Sequence, residues 1–397
     1  MSDGWVDRIT DRLPEPVSRL WQKGADWRAL IYVAAIAVAF LMLTLLLHLP
    51  HGPQHWSGDL QTRFLSPRPA TQDNRIVLVY VSEKTLADKP YLSPVDRGVL
   101  AALVERIASA EPKAIGLDFV LDRKTEPGKD ATLARVLRDL EVPIVLGAID
   151  ERTPGGDVDF QETYLAATGK PVGHLYFDEH HGTFTVSEHV IRYLGKPGPS
   201  HPDRKSFTEL LAEAAHVHPG HDGHYIAWRQ PPADGTEAFP TLPAELIIGP
   251  NGAAMPLAAL FKDRIVLIGG SFADRDRHLT PMSVLHDTRY PGLAIHAQIL
   301  AQYLDGRSLD EFGWPMRLLF LLVAAAFGFH IGRTGPPNHM LIELAVVVSL
   351  LVLGSLLFVF ASRIFPYTGV LLTWLCGVTV GHASRGGHEP ASSKEAH

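Results

Sequence analysis

A single cysteine, Cys376, is present in 397 residues, and it lies inside an apolar stretch. Everything outside that stretch is therefore free of disulfides, cysteine metal sites and cysteine nucleophiles. The chain also lacks any run of lysine and arginine, and its formal net charge is -7. Such a surface offers a phosphate backbone nothing to hold, so nucleic acid is not an expected partner. Long apolar runs are missing from the middle of the chain and collect at its two ends.

Residues 29–47, ALIYVAAIAVAFLMLTLLL, carry no charge and extend about 28 Å as a helix, enough for one bilayer crossing. No small-residue cleavage site follows, so the segment reads as an anchor rather than a signal peptide. Residues 314–332, 344–361 and 364–381 each have spanning length too. Arg19, Lys23 and Arg28 precede the first span, Arg333 lies between the second and third, and Arg385 and Lys394 follow the last. This bias outweighs Arg317 and Arg363 and places both termini in the cytoplasm. The expected layout is a cytoplasmic leader at 1–28, four transmembrane helices, an extracytoplasmic domain at 48–313 and a disordered tail at 382–397. Membrane lipid is then an expected partner.

Within the middle, apolar strands are expected at 76–81, 114–120, 143–148 and 265–268, the first three separated by amphipathic helices. Strands alternating with helices predict an α/β domain with a mostly parallel sheet. Ile265, Val266, Leu267 and Ile268 show no alternation, so this strand needs cover on both faces and belongs in the sheet's centre. Residues 151–205 break the rhythm and read as a smaller insertion with a hairpin edge. After it, 207–215 is predicted helical, 225–229 a strand and 291–304 a final helix.

The order and spacing of six segments carry a resemblance: RIVLVYVSE from Arg75, SPVDR from Ser93, KAIGLDFV from Lys113, KDATLARVL from Lys129, DRIVLIGGSFADRDRHLTP from Asp263 and YPGLAIHAQILAQYL from Tyr290. Together they resemble the second class of CHASE domain, an extracellular sensory module of bacterial signalling proteins, over residues 59–308. The resemblance implies one helix before the domain, three after it, and a location in the bacterial inner membrane. Members commonly continue into a cyclase, kinase or diguanylate cyclase, which does not follow residue 381 here. The expectation is a sensor without catalytic output of its own, acting on a separate protein.

The resemblance assigns recurrent polar positions to Arg97, Asp118, Asp276, Thr280 and His296, and Asp118 is expected to share an ion pair or hydrogen-bond network with Arg97. Ser82 stands where the family commonly has an acid, and Glu83 is the expected substitute. Gly269 and Gly270 read as a tight, positive-φ strand exit whose N–H groups suit an anion. Ser271 completes this candidate ligand site, where ligands gather at the strand ends of an open sheet. The ligand itself, a small molecule or peptide, is not named by the sequence. A signalling protein in trans and a second copy in a homodimer are the other expected partners, and no cofactor is expected.

Two readings compete. Gly269 to Ala273 imitates a nucleophile elbow around Ser271, with Asp276 and His296 or His286 as acid and base. Too little chain follows to supply a hydrolase's remaining elements. The dense run His216, His218, His221 and His224 has imidazoles that suit zinc, copper or nickel, but Pro219, Gly220 and Gly223 make it a solvated loop rather than a preorganised metal site. A structural subunit of a membrane complex is the third alternative.

Overall fold

The computed structural model describes residues 27–46, 51–178, 190–220, 223–250, 252–273, 276–286, 288–335 and 340–386. The leader up to residue 26, the alternation at 182–186, His221 and the tail from residue 387 lie outside them. The chain separates into two compact units: Asp59–Asp310, and the flanking segments Met1–Gly58 and Glu311–His397.

The larger unit is a six-stranded sheet. Its strands are β1 (Ile76–Val81), β2 (Ala114–Asp118), β3 (Ile144–Ala148), β4 (Val172–His174), β5 (Thr241–Pro243) and β6 (Ile265–Gly270). They lie in the order β4-β3-β2-β6-β1-β5, and every pairing is parallel. The last strand in sequence thus occupies the middle, as its unbroken apolarity requires. Ile265 and Leu267 pack into one layer and Val266 and Ile268 into the other, all four at most 2% exposed. Full burial contributes about 1.5–3 kcal/mol for each such side chain.

The first layer contains α3 (Arg97–Ala108), α4 (Pro127–Asp139) and the short helices α7 (Ala244–Ile248) and α8 (Leu257–Phe261). Asp96 caps α3 by accepting the Val99 N–H at 3.1 Å. The second layer contains α6 (Phe207–Ala214) and α9 (Gly292–Leu304). Here α6 lies so close to β2 that a Cβ on Gly116 would fall 2.7 Å from Phe207 and 2.8 Å from Leu211.

Two expectations need correction. Residues 151–205 are not simply an insertion, because α5 (Val158–Ala166) and parallel β4 extend the βαβ rhythm by one unit. Asp157 starts that helix by accepting the Phe160 N–H at 2.9 Å. Residues 225–229 are not a strand of the sheet. Tyr225 forms a single antiparallel bridge with Tyr193, and beyond it side chains of α9 take the backbone hydrogen bonds: Gln302 Oε1 accepts the Ala227 N–H at 2.8 Å, and Gln298 Oε1 accepts the Arg229 N–H at 3.1 Å.

In the flanking unit, α1 (Trp27–Leu46), α10 (Trp314–Thr334), α11 (Met340–Ala361) and α12 (Tyr367–Gly386) are the long helices, while α2 (His51–Leu65) straddles the unit boundary. Pro366 holds the start of α12 to Tyr367 rather than residue 364, and the helix continues through residues 382–386, assigned above to the tail. Among the described residues two helices are long and apolar enough to cross a membrane, Trp314–Thr334 and Leu341–Ala361. The apolar part of α1 is shorter, Ile31–Thr44, and α12 is interrupted by Thr373, Thr379 and His382. Helices α10 and α12 meet along glycines from both sides. A Cβ on Gly328 would strike the Trp374 carbonyl and one on Gly332 the Val378 carbonyl, while Gly377 and Gly381 stand equally close to Ala325 and Phe329. The Gly377–Gly381 pair therefore finds its partner helix within the chain.

At the end of the sheet where β1 begins, an ion network joins that strand to the end of α9. Asp73 accepts from Arg75 and from Arg229, each at 2.7 Å. Asp305 accepts from Arg75 at 2.6 Å, from Arg307 at 2.9 Å and from Arg229. Burial opposes ionisation of Asp73, but the hydrogen bonds from Arg75 and the charge of Arg229 outweigh it and hold the carboxyl below its usual range. Substituting Asp73→Ala leaves Arg229, 10% exposed, without one counter-charge and should cost about 3 kcal/mol or more in urea unfolding of the protein. Glu111→Ala, which removes a surface pair with Lys262, should leave the midpoint unchanged. The Asp73 contribution is complete above its ordinary pKa of 3.8 and is lost as pH falls below that.

Candidate functional site

The connections after β1 and β2 lead into the first helical layer, whereas the chain leaving β6 between them reaches α9 in the second. Neighbouring strands that part to opposite faces leave a crevice at their C-terminal ends. A cavity of about 1040 Å³ occupies this position. Five of the six strands lead into it: Glu83 after β1, Asp118 ending β2, Arg152 after β3, Tyr176 and Phe177 after β4, and Gly270 ending β6. Asp276 and His278 from the following loop and Gly292 and His296 from α9 complete the wall.

Asp276 fixes the loop to the helix. Its backbone is left-handed, φ +52°, and its Oδ2 accepts the Gly292 N–H at 3.1 Å at the start of α9, where the helix dipole favours a negative charge. A side chain at position 292 is excluded, because a Cβ there would lie 2.7 Å from both Asp276 carboxylate oxygens. Oδ1 of Asp276 is 2.8 Å from His278 Nε2.

Asp118 is half-buried and has no hydrogen-bond donor or ion-pair partner among the described residues. Loss of water around it, and then the charge of Asp276, push its carboxyl well above the usual carboxylate range. His296 is 4% exposed, its Nδ1 has no hydrogen-bond partner, and its ring packs 4.5 Å from Phe177 and 5.3 Å from Phe207, centre to centre. Burial, reinforced by His174 and His278, pushes its pKa down to about 3, so the imidazole is neutral. The cavity's arginines are occupied. Arg152 donates to Asp150 at 2.9 Å and stacks 3.7 Å over Tyr176, and Arg123 donates to the Gly155 carbonyl at 3.1 Å and lies 3.8 Å from Asp122.

The structure brings Glu83, Asp118, Gly270, Asp276 and His296 together and leaves the other candidates apart. Ser82 is not on the cavity wall; its N–H donates to Thr85, while Glu83 lines the cavity and accepts the Ala273 N–H at 2.8 Å. Arg97 does not pair with Asp118. It is 1% exposed inside the first layer, with Asp130 at 3.7 Å and the Arg123 carbonyl at 3.3 Å, so it supports the cavity rim from behind. Gly269 and Gly270 are strand residues without positive φ; Gly269 is needed because a Cβ there would lie 2.7 Å from Leu293. Thr280 is buried in a reciprocal cap with Ser283, and Ser271 Oγ is an acceptor for Arg277 at 3.4 Å, away from the cavity wall. His216 and His218 are exposed, and His224 pairs with Asp310 at 3.0 Å. No metal-holding group of three His, Cys, Asp or Glu occurs among the described residues. Sequence reasoning missed Tyr176, Phe177 and His278, although the first two end an apolar segment directly after a strand.

With this geometry in place, comparison with known families is decisive: the model of the CHASE2 domain matches residues 33–330. The chain belongs to the CHASE2 domain family. No curated protein and no solved structure gives a match. CHASE2 domains are sensory, and the match reaches beyond the sheet unit into α1 and α10 at either end.

Because the folded state holds Asp118's proton more tightly than the unfolded chain does, ionising it opposes folding as pH rises from 3.8 towards the raised folded value. Asp118→Asn keeps the shape and removes that opposition. It should raise the thermal midpoint at pH 7 by a few degrees, with the gain vanishing near pH 3.5. A fall in the pH 7 midpoint would mean that the carboxylate is stabilised in the native protein.

Proposed function

We propose that the chain is a multi-pass sensor of the bacterial inner membrane, with its sheet unit outside the cytoplasm. It binds a small molecule or peptide in the strand-end cavity and acts through its helices on a separate signalling protein. The observation that supports this most directly is the cavity itself: it lies at the C-terminal ends of parallel strands, and among the described residues its Asp118 carboxylate and its His296 Nδ1 have no partner. Structural packing alone selects against both, since each costs free energy while the cavity is empty.

Four crossings, by α1, α10, α11 and α12, fit the distribution of arginine and lysine and leave both termini inside. Within the sheet unit, α9 supplies a route for the signal. Its first turn holds Asp276, its second carries His296 into the cavity, and its last residue precedes Asp305 of the ion network. A displacement of its N-terminus is delivered about 20 Å away at the end of thirteen helical residues. In this reading catalysis belongs to the partner, a kinase or cyclase, and the sensor itself functions as a homodimer or as one member of a larger assembly.

Topology and partner are tested together. A periplasm-active reporter joined after Leu49 should be active, and the same reporter after His397 should be silent; equal activity at both junctions rejects the layout. Crosslinking through α10 and α11 in intact membranes should then capture a signalling enzyme, and recovery of structural proteins alone would move the assignment to a scaffold.

A further inference from the structure

The charge balance inside the cavity has one open position. Four carboxylates line the same volume, Glu83, Asp118, Asp122 and Asp276. Glu83 accepts the Ala273 N–H, Asp122 lies 3.8 Å from Arg123, and Asp276 accepts the Gly292 N–H and lies 2.8 Å from His278 Nε2. Asp118 has no donor among the described residues. The guanidinium groups of the wall are committed elsewhere, Arg152 to Asp150 and Arg123 to Asp122 and the Gly155 carbonyl. A ligand can therefore supply the positive charge that Asp118 lacks among the described residues. The described carboxylates and histidines form no metal-holding group of three. The wall around them is aromatic instead, with Phe119, Phe177 and Phe272 on the lining. Aromatic rings and a carboxylate on one wall suit an organic ammonium. The unpartnered Nδ1 of His296, on a ring 4% exposed, supplies a second, independent sign of an absent hydrogen-bonding group.

We infer that the strand-end cavity recognises a small molecule bearing a protonated amine, with Asp118 as its counter-ion, His296 as a neutral hydrogen-bonding partner and the phenylalanine rings as its walls. This rests on the sensor reading above and makes it more specific. The volume, about 1040 Å³, admits an amino acid or a di- or polyamine as readily as a simple alkylamine. All share the ammonium group. The ammonium offsets the charge of Asp276, which opposes ionisation of Asp118.

The test uses the full chain in detergent, with thermal midpoint and calorimetric titration as readouts. Ethanolamine, putrescine, glycine and lysine are the amine probes; ethylene glycol, acetate and calcium are the controls. At least one amine should raise the midpoint in a concentration-dependent way while the controls do not, and glycine or lysine outperforming putrescine would identify a zwitterion. Asp118→Asn should weaken that amine by about tenfold or more, the loss of one charge-assisted hydrogen bond. His296→Phe should weaken it by a smaller factor. An amine response retained at full strength in Asp118→Asn overturns the assignment. Binding of acetate or calcium alone, abolished by Thr153→Trp on the cavity lining, overturns the ligand class and leaves the sensor reading standing. Binding by nothing in a panel widened to neutral metabolites overturns both.

Discussion

The sheet unit depends on the burial of β6 on both faces. Four consecutive residues without a polar side chain cannot occupy a sheet edge or a solvated face, so the strand goes to the centre with a helical layer on either side. From that placement the rest follows. The strands on either side of β6 send their connections into one layer, β6 sends its own into the other, and a crevice opens where they diverge. The cavity is thus a consequence of topology first and side-chain chemistry second. The chemistry then exploits it by placing Asp118 at the end of β2 and Asp276 in the loop after β6, where separate strands bring like charges to one volume.

Much of this was legible without coordinates because it was written in hydrophobic periodicity. The strand at 76–81, its helix, the strand at 114, and the central position of 265–268 all follow from which residues exclude water. What escaped was backbone satisfied by side chains. Residues 225–229 are apolar and extended enough to read as a strand, yet Gln298 and Gln302 of α9 take their hydrogen bonds, and a glutamine on a distant helix leaves no local trace in sequence. The third βαβ unit escaped for the opposite reason: β4 is three residues long, too short to show a period.

The site was legible as a set of residue types and less so as a set of partners. Asp118, Asp276 and His296 converge as the motif order implied. Arg97 belongs to the same motif run but turns into the first layer, since it opens α3 rather than the loop before it, and a buried guanidinium there meets Asp130 on α4 instead of the carboxylate at the strand end. Motif membership identifies which residues matter together. It does not distinguish the wall of a cavity from the timber behind it, a difference set by one turn of helix.

The glycine seam between α10 and α12 has a mechanical meaning. Gly328, Gly332, Gly377 and Gly381 bring main chain against main chain, with no side chain between to change rotamer and absorb a shear. Interfaces padded with leucine can slide by repacking; a contact of backbone on backbone has no such slack. The two helices therefore turn, tilt or translate as a single beam, and each pays the other's resistance to doing so. Helix α11 shares little of that seam, and its exposed leucines, valines and Phe360 face outward along most of its length. Within the apolar unit it is the hinge-free beam that can transmit torque and the loosely held helix that can yield to it.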